Sequence, residues 1–180
     1  MLRTTTVAAF AFALAALPLT SALSQSLPVP SQGAARDVPS AKELPDPRLE
    51  YKILYDLAAK PEKPTDVNPG LVRLARFVNT LAKSGVPANR RHIAVIIHGG
   101  AAPAILTDAA HTARHGGPNP NLPLMRELKA AGVEFHVCGQ GVLGAKLQPT
   151  DIDPTVQVDL WAMTTTANFL ARGYSRMGGG

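Results

Sequence analysis

Apolar and polar positions change period several times along this chain, and each change marks an element. Tyr51-Lys-Ile-Leu-Tyr-Asp-Leu alternates in part, is rich in strand-favouring Tyr and Ile, and lies between Pro47 and Lys60-Pro-Glu-Lys-Pro; it predicts the first strand. After Asn68-Pro-Gly, residues Leu71, Leu74, Ala75, Val78, Leu81 and Ala82 recur at three and four. That spacing predicts an amphipathic helix entered through Pro69 and stopped at Ser84-Gly85. Ile93 to Ile97 is an unbroken apolar run, as expected of a central parallel strand buried on both faces, and it leaves through His98-Gly-Gly. Pro103 to Ala113 places Ile105, Leu106, Ala109 and Ala110 at helical spacing before His115-Gly-Gly-Pro breaks the pattern, which predicts a second helix.

The next unit has the sharpest boundaries. Leu122 to Ala131 carries Leu, Met and Leu on one stripe, with Asn121 as side-chain cap, Pro123 in the first turn and Gly132 as the stop. Val133 to Val137 then reads as a strand ending at Cys138-Gly-Gln-Gly, with a short helix over Val142 to Leu147 and a loop over Gln148 to Pro154. Val156, Val158 and Leu160 alternate as a further strand, Trp161 to Arg172 reads as the last helix, and Tyr174 to Met177 as an edge strand. Strands alternating with helices imply right-handed crossovers. The expected fold class is α/β, three-layer, with a mostly parallel sheet of four or five strands and helices on both faces.

The beginning of the chain changes the picture of where this domain operates. Arg3, an apolar run from Val7 to Leu19 and small residues at Ala22 and Ser24 have the layout of a secretory signal peptide over residues 1–24. The run falls short of the roughly 20 residues a membrane span needs. Residues 25–48 hold several prolines and little periodicity, and are expected to form an extended lead-in or spacer. Residues 49–180 are expected to form a single domain, with export to the periplasm and no stable membrane insertion once the signal is removed. The net charge of +5 is spread thinly, Asn89-Arg-Arg-His being the densest basic spot, and aromatic residues are few, so nucleic acid is not an expected partner.

The chain has a single cysteine, so no internal disulfide can form and the thiol stands alone in an oxidising compartment. Cys138 lies where a strand gives way to a glycine-flanked turn, and the carboxyl ends of strands are where ligands gather in open α/β sheets. Gly139 and Gly141 allow backbone N–H groups to approach a bound atom, and a helix beginning at Val142 would favour a thiolate. The competing reading makes Cys138 a small buried apolar residue. Glu134 and His136 share its face of the strand and read as a subunit contact or a solvated edge, being too far along the strand for a direct hydrogen bond to the thiol.

His98 ends another central strand, where it acts either as a base or donor in the same crevice or as a tie to a loop carbonyl. Asn119 and Asn121 are accounted for by turn formation and capping. Of the five histidines only His111 and His115 stand four apart, a spacing read as a solvated helix end rather than a metal site. No Gly-x-Ser-x-Gly elbow and no Walker pattern occur, and no Gly-x-Gly-x-x-Gly follows the first strand. No cofactor and no metal are expected.

Several pieces in order resemble the DsrE/DsrF-like family: Tyr51-Lys-Ile, Arg76-Phe-Val-Asn, Ala94-Val-Ile-Ile-His-Gly-Gly-Ala, Asn119-Pro-Asn, Leu128 through Gln140, and Ala171-Arg-Gly-Tyr. The resemblance spans Tyr51 to Tyr174 and is to the exported members in particular. It implies a flavodoxin-like sheet, homo-oligomers such as trimers or hexamers, and a link to sulfur metabolism. In sulfur-relay members a cysteine carries sulfur as a persulfide, and Cys138 occupies the matching position. The expected site is therefore Cys138, with Gly139 and Gln140 donating hydrogen bonds, His98 tuning it and Asn119 in support, served by an unidentified sulfur donor or acceptor. The chain departs from cytoplasmic relays in its export signal and in having no second cysteine. The alternative is a non-catalytic oligomeric domain that binds a small ligand or a protein; the sequence leaves open whether the chain is an enzyme.

Overall fold

The computed structural model describes residues 26–178, so the expected signal peptide lies outside the described residues. Five strands, β1 (Tyr51–Leu57), β2 (Arg91–Ile97), β3 (Glu134–Cys138), β4 (Val156–Asp159) and β5 (Ser175–Gly178), form one sheet in the order β4-β3-β2-β1-β5. Every pairing is parallel. Five α-helices accompany them: α1 (Pro69–Lys83), α2 (Asp108–His115), α3 (Leu122–Ala130), α4 (Gly139–Gly144) and α5 (Ala162–Ala171).

The order explains the layering. The crossovers from β1 to β2, β2 to β3 and β3 to β4 all step the same way, so right-handedness sends their helices to one face. The connection from β4 returns across the sheet to β5, which sends α5 to the other face. On the first face Tyr55, Leu57, Val95, Ile97, Phe135 and Val137 pack with Leu71, Leu74, Val78, Met125 and Leu128 in one large core. On the second, Leu54, Ala94 and Ile96 meet only Phe169 of α5 as a buried apolar cluster. One ten-residue helix cannot cover a five-stranded face, and side chains with polar chemistry collect there.

Several expectations change in detail. The single helix expected over Pro103 to Ala113 is divided: Gly99–Ile105 winds as 3-10 turns, and α2 begins afresh at Asp108. Between them Leu106 is extended and bridges Ile152, while Thr107 N–H donates to Asp151 and the Thr107 side chain caps α2. Capping chemistry thus overrode the apolar periodicity. Asn121 does not cap α3; its carboxamide oxygen accepts the Asn68 N–H at 2.7 Å and its NH2 donates to Asn119 at 3.0 Å. The helix expected from Val142 begins three residues earlier, directly after Cys138.

β3 is no solvated edge, because it lies between β2 and β4; Glu134 is exposed but His136 is buried. The segment preceding β1 has no helix or strand from residue 26 to 50 and is anchored at Val29. Val29 is fully buried in the main core, and the Asn79 side chain accepts from Val29 N–H while donating to the carbonyls of Val29 and Gln32. Left-handed glycines close α1 and α3 at Gly85 and Gly132, where the sequence places the stops.

Candidate functional site

The sheet order fixes where a crevice opens. The chain leaving β3 turns to the first face as α4, and the chain leaving the adjacent β4 crosses to the second face as α5. Between their carboxyl ends the backbone parts, which is the topological switch point of an open parallel sheet. Cys138 and Asp159 are register partners at that position. Both belong to the face beneath α5, by the period-two alternation that also places His136 there.

Cys138 is 6% exposed and lines a cleft of about 490 Å³. Its sulfur accepts the backbone N–H of Ala162, the first residue of α5, at 3.3 Å. An N–H donor in the first turn of a helix is a contact that strengthens when its acceptor carries negative charge. Gly139 makes this approach possible. A Cβ there would stand 2.5 Å from the Asp159 carbonyl oxygen and 3.3 Å from that of Leu160, so only glycine lets the β4 to α5 turn lie against the strand end.

The same cleft is lined by His98, Asp56 and Arg176. His98 does not tie a loop carbonyl; its Nε2 lies 2.6 Å from Asp56 Oδ1. Arg176 Nε donates to Asp56 Oδ2 at 2.9 Å, and its Nη2 bonds the same oxygen. Burial alone would raise the Asp56 carboxyl, but the bonds from Arg176 and His98 outweigh it and hold the group below the ordinary carboxylate range. The remaining wall is apolar, from Trp161, Met163 and Leu170. These three are left exposed, and so are Leu143, Val158 and Leu160, which border a separate shallow cleft beside α4.

A second network holds α5 in place. Asp159 Oδ2 lies 3.0 Å from His136 Nδ1 and accepts the Thr165 hydroxyl at 2.8 Å, while Oδ1 accepts Gln157 Nε2 at 2.7 Å. His136 is edge-on to Phe169. The network pins the first turn of α5 to β4, and with it the Ala162 N–H on the sulfur.

Of the residues expected at the site, Cys138, His98 and Gly139 come together here. Gln140 is exposed and donates to the Leu160 carbonyl at 3.3 Å, which ties α4 to the start of α5. Asn119 is buried elsewhere, donating to the carbonyls of Ala104 and Leu106. Asp56, Asp159 and Arg176 went unnoticed in the sequence, although Asp56, a charged residue in the buried half of β1, demands a partner and is itself a signal. The Ala162 N–H left no signal, because a backbone donor is placed only by the path of α5. Among the described residues no group of three or more His, Cys, Asp or Glu side chains is arranged to hold a metal ion, and no helix is long and apolar enough to cross a membrane.

Comparison with known proteins agrees with this architecture. No curated protein matches the chain. A solved protein of unknown function, MTH1491 from Methanobacterium thermoautotrophicum, is similar in fold, with a TM-score of 0.52 at 14% identity over 71% of this chain and 98% of its own. Residues 55–177, which contain most of the sheet, the cleft and both polar networks, match the DsrE/DsrF-like family, and the chain belongs to that family.

Proposed function

We propose that this chain is an exported, periplasmic sulfur-handling protein in which the Cys138 thiolate takes up a sulfur atom as a persulfide. The family is associated generally with sulfur metabolism. The observation that carries the reading is the position of Cys138: a thiol lining a cleft at the sheet's switch point, with a backbone N–H on its sulfur. The step is a displacement. The thiolate attacks the outer sulfur of a donor R–S–SH, a new S–S bond forms at Cys138, the donor's S–S bond breaks, and R–S⁻ leaves. Oxidation levels are exchanged between the two sulfurs, so no external oxidant is required. The Ala162 N–H steadies the anion, and His98, held by Asp56, lines the same cleft.

The test is incubation with a low-molecular-weight alkyl persulfide followed by peptide mass spectrometry. One added sulfur on the Cys138 peptide, removed by reductant and absent from Cys138→Ser, is expected; a folded protein that gains none overturns the reading. A second reading rests on the exposed apolar rim, from Leu160, Trp161 and Met163 above all. Here the chain is a non-catalytic homo-oligomeric domain whose rim docks a further copy, a small ligand or a protein, with Cys138 as packing. In this case the thiol stays inert until the chain unfolds.

A further inference from the structure

The pair His111 and His115 departs from the solvated helix end that its spacing suggested. His111 is 1% exposed. Its Nδ1 lies 2.7 Å from the Gly117 carbonyl oxygen, and because a carbonyl only accepts, Nδ1 must carry the proton. The lone pair of the neutral ring is therefore on Nε2, and that atom is buried with no hydrogen-bond partner. A buried imidazole nitrogen without a partner requires an explanation. An N–H to backbone carbonyl bond on one nitrogen, leaving the other bare, is the arrangement that orients a histidine ligand toward a metal.

One helical turn on, His115 lies on the same side of α2, its ring centroid 4.7 Å from that of His111 and tilted by 53°. It is partly exposed and borders a cleft of about 360 Å³ beside the 3-10 turns. Arg114, the nearest cation on the helix, points to Asp151 at 3.5 Å.

We propose that His111 and His115 form a two-histidine site for a borderline transition-metal dication, Cu2+, Ni2+ or Zn2+, with water completing the coordination. Two imidazoles select these ions over Mg2+ and Ca2+, which prefer oxygen. With two protein ligands rather than three or four, the ion is exchangeable rather than structural. This site is separate from the Cys138 cleft and does not depend on the sulfur reading.

The experiment is titration of the chain carrying Cys138→Ser, which removes the thiol as a competing ligand, with Cu2+ or Ni2+ at pH 7.5. One equivalent is expected to bind and raise the melting temperature, Cu2+ showing two nitrogen couplings in its paramagnetic resonance spectrum, while Mg2+ has no effect. His115→Ala, at a partly exposed position, is expected to keep the fold and weaken binding at least tenfold. His92→Ala, at a histidine paired with Glu50, is expected to leave it unchanged. A protein that takes up no equivalent, or a His115→Ala variant that binds as tightly as its parent, overturns the proposal.

Discussion

Replacing Gly139 with alanine tests how closely the β4 to α5 turn lies on the strand that carries the thiol. The new Cβ would stand 2.5 Å from the Asp159 carbonyl oxygen, whereas ordinary contact begins near 3.4 Å. The obstacle is backbone, which no rotamer change relieves. Overpacking of this kind costs about 1–3 kcal/mol. Removing a glycine from a helix returns at most about 1 kcal/mol. The net expectation is a loss of about 1–2 kcal/mol, or a fall in melting temperature of about 2–8 °C for a domain of this size. Ala162 lies three residues beyond Asp159, so the same retreat draws its N–H off the sulfur and changes the rate at which Cys138 is alkylated. Gly141→Ala is the internal control, since a Cβ there meets only the Cys138 Cβ at 3.9 Å. That variant is expected to be neutral or stabilised by up to about 1 kcal/mol. Calorimetry and native-state alkylation are to be run on both variants, and a Gly139→Ala protein as stable as Gly141→Ala would mean that the β4 to α5 turn does not lie against the strand end.

Three further outcomes follow from the same geometry. Asn79→Ala removes three hydrogen bonds that anchor the lead-in around the buried Val29 and strands the polar groups of Val29, costing about 2–4 kcal/mol; urea unfolding measures the loss, and limited proteolysis should clip residues 26–47 faster than in the parent. The Asp56 carboxyl is held below its unfolded value, so its contribution is complete above about pH 4 and is lost as pH falls through the folded value. Urea midpoints measured from pH 5 to pH 3 should therefore fall less steeply in Asp56→Asn than in the parent, and parallel curves would contradict the ion pairing. Thr165→Val deletes the hydroxyl that joins α5 to Asp159, with an expected cost of about 1–2 kcal/mol and faster amide exchange at Ala162.

Much of the fold was legible because periodicity and stop signals agreed. α1 runs from the Asn68-Pro-Gly entrance to Ser84-Gly85, and β2 is the apolar run that burial on both faces requires. Where local signals competed, tertiary contacts decided. Pro103 and the Thr107 cap divided one expected helix into two elements, and Asn121 was drawn from capping into a bridge to Asn68. The thiol's place at a strand end could be read directly. Its surroundings could not, since the bond from Ala162 and the arrangement of Asp56, His98 and Arg176 arise from strand order, which periodicity does not encode. His111 shows the same limit: its spacing suggested solvent, and burial beneath the loop ending at Gly117 reversed that.

Under the proposed function Cys138 is a working thiol at a cleft and not a packed core residue. The direct measurement is its alkylation rate in the native protein, compared with the same protein in denaturant. A thiol that reacts in the native state, at a rate that changes in Gly139→Ala, is the predicted result. A Cys138 that is silent until the chain unfolds would contradict it.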